Sequence, residues 1–186
     1  PVLLLCLCLS VPVAADEAAA QDASFSAEGF SSPQRLWDGD RGTYAAAGEG
    51  AAVHITGSTP IASLYIEFDR LPQPYTIECG GGSYPCGEEG FLHQYIDVTG
   101  LTGGGQENIT LRFPKGTVIA DIYAFSDGVL PNWVQVWEPP CEEADLLLLS
   151  SHSDDEQLFF AGIHPYYAGE QQLEVQVAYI VQHFEA

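Results

Sequence analysis

From Phe25 to about Trp137, short apolar runs are separated by clusters of turn residues. The runs are Ala51–Ile55, Ile61–Phe68, Tyr75–Cys79, Gln94–Val98, Asn108–Phe113, Thr117–Phe125 and Val134–Trp137. The clearest of them alternate apolar and polar side chains, so one face packs and the other meets solvent, as in an antiparallel sandwich. Leu71-Pro72-Gln73-Pro74, Gly103-Gly104-Gly105 and Pro114-Lys115-Gly116 supply turns between them. Glu138-Pro139-Pro140-Cys141-Glu142-Glu143 is a stiff, charged junction, because successive prolines fit neither a helix interior nor a central strand. Beyond it the pattern changes. Ala144–Ser150 is a continuous apolar run, as in a parallel strand covered on both faces; Glu156–Ala168 reads as a helix stopped by Gly169, and Leu173–Val181 as the next strand. One β-α-β unit of this kind cannot bury both faces of its own strands.

Ahead of the sandwich, Val2–Leu9 is apolar and Val13-Ala14-Ala15 precedes Asp16 with small residues. This resembles the apolar core and cleavage site of a signal peptide over residues 1–15, with the basic start of the leader expected to be missing; a buried strand is the alternative. The run is too short to span a bilayer, so no transmembrane segment is expected and the mature protein is expected outside the cell. Cys6 and Cys8 each follow a leucine, which does not fit the usual lipid-anchor site. Residues 16–24 read as a linker.

The 186 residues carry 26 acidic against 5 basic side chains, so the surface field repels polyanions and nucleic acid is excluded as a partner. Acidic balance suits cations or neutral sugars, and equally serves solubility. Cys79 and Cys86 flank the turn Gly80–Pro85 and in an oxidising compartment would close a short disulfide loop; Cys141 is left over. With no Cys-x-x-Cys spacing, a thiolate zinc site has no support.

Ser151-His152-Ser153-Asp154-Asp155-Glu156 lies at the carboxyl end of the buried strand, where open α/β sheets gather reactive groups. His152 and Asp155 stand three apart across the turn and offer an imidazole and a carboxylate to one metal ion, while Asp154 remains free to act as a base. The alternative is an acidic helix N-terminus favoured by the dipole. A strand, then His152-x-Asp154-Asp155-Glu156, then a helix is similar to the PIG-L/LmbE zinc-dependent deacetylases, and Leu158–Gly162, Tyr167–Glu170 and Val175–Val177 extend the likeness over Ala144–Ala186. The resemblance implies zinc held by His152 and Asp155, Asp154 as general base, and an N-acetylglucosamine-type sugar as substrate. Ser153 departs from the family's proline. The third ligand would be a downstream histidine that these residues do not contain; His164 fits a packing or surface role rather than a ligand's, and for His183 a substrate-side role is the lesser alternative.

Leu36-Trp37-Asp38-Gly39-Asp40-Arg41-Gly42-Thr43 and the strands after it resemble the galactose-binding-like, discoidin or F5/8 type C sandwiches, over about Phe25–Trp137. Some relatives hold structural calcium here, for which Asp38, Asp40 and Thr43 offer oxygen ligands; a plain Asx turn is the alternative. Tyr44, Tyr84, Phe91 and Trp133 lie in or beside loops and could stack on a sugar or pack inward. Asn108-Ile109-Thr110 is a glycosylation sequon only in a eukaryotic secretory route.

The expected architecture is therefore multidomain: an all-β jelly-roll sandwich at 25–138, then at 144–186 the truncated first β-α-β unit of a Rossmann-like domain. The expected function is that of a fragment of an exported zinc-dependent deacetylase acting on N-acetylated amino sugars or glycans, the fragment itself being inactive. The alternative is a carbohydrate- or surface-binding module without enzyme activity.

Overall fold

The computed structural model describes residues 19, 22–137, 141–152 and 154–180. The expected signal peptide, most of the linker, Ser153 and His183 lie outside them. The chain divides into two compact units, 1–137 and 138–186.

The first unit is almost wholly β. Its strands are β1 (Ala23–Phe30), β2 (Ala45–Phe68), β3 (Tyr75–Cys79), β4 (Gly82–Cys86), β5 (His93–Asp97), β6 (Gln106–Arg112) and β7 (Val118–Ser126), with a single 3-10 turn at Pro33–Leu36 and a short α-helix, α1 (Val98–Thr102). The expected runs Ala51–Ile55 and Ile61–Phe68 are one strand, β2. Its first half joins the ladder β1-β2-β6-β3-β4, and its second half pairs with β5 and β7.

Side-chain parity shows how one strand serves both halves. Ala51, Val53 and Ile55 enter the core from odd positions, whereas Leu64, Ile66 and Phe68 enter from even ones. A regular strand cannot do this, because its side chains alternate strictly. The ladder with β6 is irregular between Thr56 and Ile61, where the strand bends, and because Ile61 still enters the core, the change of face falls between Ile61 and Leu64, where the register with β7 shifts. Gly57 sits in the bend: a Cβ there would run into the Thr59 carbonyl oxygen and lie 2.9 Å from Ile61 Cγ1. The two halves of β2 thus close on one core with Ile77, Leu111, Ile119 and Ile122, all essentially inaccessible to solvent.

Several sequence expectations are corrected. Residues read as the end of the linker and a turn form β1 and β4. Val134–Trp137 is not a strand; Val134 N–H closes a turn onto the Pro131 carbonyl instead. Cys79 and Cys86 carry free thiols. In the β3–β4 hairpin Cys79 faces Gly82 while Cys86 faces Tyr75, so four residues, roughly 13 Å of strand, separate them along the ladder. A disulfide needs Cα atoms within about 7 Å. Burial raises both thiols, that of Cys86 to about 11, which leaves them protonated and unreactive.

The second unit holds β8 (Leu146–Ser150) and β9 (Val175–Tyr179), paired in parallel from Leu146 opposite Val175 to Ser150 opposite Tyr179. The expected helix Glu156–Ala168 is broken in two: α2 covers only Asp155–Leu158, and a π-helical stretch runs from His164 to Glu170, through Gly169. Gly162 and Pro165 account for the break, since glycine weakens a helix interior and proline has no N–H to give it. Among the described residues no helix is long and apolar enough to cross a membrane.

Candidate functional site

Two places collect polar chemistry, one in each unit. In the first, the Asp38 loop is built as an Asx turn: Asp38 Oδ1 accepts the Asp40 N–H at 2.9 Å and Oδ2 accepts the Thr43 hydroxyl at 2.8 Å, while Asp40 Oδ1 accepts the Gly42 N–H at 2.9 Å. Gly39, at φ +73°, supplies the left-handed residue that the turn needs. These bonds, led by the Asp40 N–H, hold the Asp38 carboxyl below its ordinary value. The three residues expected around calcium are therefore brought together. Each oxygen named is, however, already satisfied within the loop, which fits the plain turn as well as an ion site.

The turn has a second effect that the sequence did not reveal. It carries Arg41 to Glu67, with Nη2 2.6 Å from Oε1 and the Glu67 side chain only 3% exposed. Glu67 lies on the face of β2 away from the core, beside Tyr65, opposite His93 of β5 and Asp121 of β7. His93 Nδ1 is 3.0 Å from the Tyr65 hydroxyl and 3.7 Å from Glu67 Oε1. The Tyr65 oxygen already accepts the Gln135 N–H at 3.3 Å, so its proton is free to be donated to His93. Trp133 closes the cluster, edge-on to Tyr123 at 4.8 Å and under the Arg41 guanidinium at 5.6 Å. Asp121 accepts the Tyr123 hydroxyl and the Ile122 N–H, yet burial outweighs both and raises its carboxyl to about 6.

His93 also belongs to a cleft of about 360 Å³ along β5. Phe91 and Trp137 stand in its wall with ring centroids 5.8 Å apart, both exposed, and Glu89, Gln94 and Asp97 add polar groups. Gln94 is held in place, accepting the Tyr75 hydroxyl at 2.6 Å and donating to the Phe91 carbonyl at 2.9 Å. Of the loop aromatics singled out in the sequence, Phe91 and Tyr44 are exposed, whereas Tyr84 and Trp133 pack inward. Trp137, read as part of a strand, is more exposed than Phe91. Nothing in its neighbours along the chain marks it.

In the second unit His152 and Asp155 do meet. Asp155 Oδ2 accepts the His152 backbone N–H at 3.0 Å and lies 3.5 Å from Nδ1 of its ring. Asp154 occupies the N-cap position of α2 without a capping side-chain bond. Glu156 reaches Tyr179 of β9, whose phenol is raised by burial and then by this bond. An imidazole nitrogen and a carboxylate oxygen suit zinc, but a catalytic zinc takes three protein ligands. Among the described residues no group of three His, Cys, Asp or Glu side chains is placed to hold a metal. The fit is thus two ligands of three.

No family model matches the chain, and no curated protein matches it. Solved structures do show likeness. CpGH89CBM32-6 produced by Clostridium perfringens is 17% identical, with 58% of this chain and 96% of that one covered and a TM-score of 0.45. A pectin-binding carbohydrate-binding module is 20% identical, covering 60% and 96%, at 0.44. An F5/8 type C domain from Bacteroides fragilis is 10% identical, covering 58% and 95%, at 0.42. With TM-scores below 0.5, neither the fold nor the function of this chain rests on these likenesses.

Proposed function

We propose that the first unit is a carbohydrate-binding module whose site is the cleft along β5. The observation that carries this reading is the exposed Phe91–Trp137 pair set beside Gln94 and His93. A pyranose has an apolar face that can lie on aromatic rings and a rim of hydroxyls that needs donors and acceptors at fixed places. Gln94, locked by Tyr75 and the Phe91 carbonyl, and His93, oriented by Tyr65, supply such places. The apolar run at 2–9 and the small residues before Asp16 support a role outside the cell, where glycans are encountered. The test is titration of the chain with a panel of soluble oligosaccharides, followed by calorimetry. Trp137→Ala is expected to weaken binding by about fivefold to tenfold, given the apolar area that one half-exposed indole can still bury. Binding that survives this change intact would rule out the cleft.

A second reading concerns the second unit, favoured by the 3.5 Å approach of His152 Nδ1 to Asp155 Oδ2. Here we infer part of a PIG-L-type deacetylase site acting on N-acetylated amino sugars. His152 and Asp155 would hold zinc, which when bound supplies Lewis acidity toward an amide carbonyl. Asp154, exposed and without a capping bond, is free to take a proton from the attacking water and return it to the amine nitrogen as acetate departs. Zinc retained by the chain after gel filtration is the readout, with His152→Ala expected to lower it. Equal retention by the variant would remove this reading.

A further inference from the structure

The polar lining of the β5 cleft has only one sign of fixed charge. Glu89 and Asp97 are both exposed in it, and no lysine or arginine joins them. The chain has five cationic side chains, and four are engaged elsewhere: Arg41 with Glu67, Arg112 with Glu78, Arg70 with Asp69, and Arg35 with the Tyr44 carbonyl. The fifth, Lys115, lies in the turn between β6 and β7. Asp97 spends one oxygen on the helix, accepting the Gly100 N–H at 2.8 Å as the N-cap of α1. Glu89 makes no hydrogen bond or ion pair among the described residues.

From this charge pattern we infer that the cleft selects amino sugars bearing a free ammonium group over N-acetylated or acidic sugars. The inference rests on the carbohydrate-binding reading and sharpens it. An ammonium group gains from two carboxylates at the cleft rim and from the face of Trp137, and the net charge of −21 raises its local concentration. An N-acetyl group offers the same ring face and hydroxyls but no charge. A uronate meets repulsion from both rim carboxylates.

The experiment compares glucosamine, N-acetylglucosamine and galacturonate tetramers, titrated calorimetrically into the whole chain in mildly acidic, low-salt buffer. Exposed ion pairs are each worth about twofold to fivefold, so two of them predict roughly tenfold tighter binding of the glucosamine tetramer than of its N-acetylated counterpart. Glu89→Gln is expected to reduce that preference by about twofold to fivefold. Asp97→Asn should do likewise, its fold checked by circular dichroism because the residue caps α1. Raising salt to about 0.5 M should also shrink the preference. Equal or tighter binding of the N-acetylated or acidic tetramer overturns the inference and leaves the carbohydrate-binding reading standing. A preference that neither variant reduces also overturns it, since the charge would then act from elsewhere on the surface. Failure of all three tetramers, with no other glycan bound, removes the reading on which it rests.

Discussion

Replacing Arg41 with methionine keeps most of the aliphatic stem beside Trp133 but removes the cation from Glu67. Among the described residues, the carboxylate that remains is 3% exposed, with no hydrogen bond to either oxygen and only His93 at 3.7 Å as another candidate partner. Stripping one member from a fully buried pair costs about 3 to 5 kcal/mol, because the survivor keeps its desolvation penalty. Arg41 is itself 55% exposed, so water already screens part of the attraction; about 2 kcal/mol is the appropriate figure. All three tryptophans, Trp37, Trp133 and Trp137, belong to the first unit, which makes fluorescence in a urea titration a report on that unit alone. At a slope of about 2 kcal/mol per molar urea, the midpoint should fall by about 1 M. Glu67→Gln alone should cost about 1 kcal/mol or less, since a half-exposed guanidinium can rehydrate. The double variant should be less damaged than the two single changes added together, by about 1 to 2 kcal/mol. A coupling below about 0.3 kcal/mol would refute the claim that Arg41 stabilises Glu67.

Three further expectations can be checked with the same titration. Asp121 is raised to about 6, so the folded unit holds a proton that the unfolded chain has released; stability from this group is full below about pH 4 and falls as pH rises toward 6. Asp121→Asn should flatten that decline and stabilise the unit near neutrality by about 1 kcal/mol, after discounting for partial screening; an unchanged profile would contradict it. Gly57→Val should cost about 3 kcal/mol or more, because its side chain meets the Thr59 carbonyl and Ile61 in the bend, and a neutral result would mean that the bend is not fixed. Asp38→Ala should destabilise fully above about pH 4, with the loss fading as pH falls further through the lowered folded value, since the turn's bonds favour the ionised carboxyl; added calcium should leave the wild-type midpoint unchanged, and a rise would show the turn reorganising around an ion.

Local features of the fold were legible in the sequence, and features that depend on distant partners were not. Tyr75–Cys79 alternates so regularly that β3 falls on the expected residues, and β6 and β7 lie close to theirs. The Gly57–Pro60 segment only separates the expected runs Ala51–Ile55 and Ile61–Phe68, yet a bulge keeps the ladder going across it and Ile61 still pairs with Gln106. With Gly80–Pro85 read as a turn, Gly82–Cys86 was missed. Its Pro85 is tolerable because β4 is an edge strand paired only with β3. The Arg41–Glu67 pair joins residues far apart along the chain, and no periodicity links them. Phe91 stood out as a loop aromatic, but its neighbour Trp137 was hidden in a run that looked like a strand.

The second unit shows what a local motif can and cannot settle. His152, Asp154 and Asp155 are close in sequence, and the turn into α2 brings His152 and Asp155 together as their spacing predicts. The apolar run beside them points the other way. Ala144–Ser150 reads as a strand covered on both faces, yet Leu147 and Leu149 are 54% and 59% exposed, and Leu158 and Phe159 of the α2 turn are also exposed. Leaving one side chain of this size in water forgoes about 1.5 to 3 kcal/mol, so four of them are an expensive surface for a unit this small. The residues that would make the motif a working zinc site and those that would cover this apolar face have the same requirement: both must come from outside the described β8–α2–β9 segment.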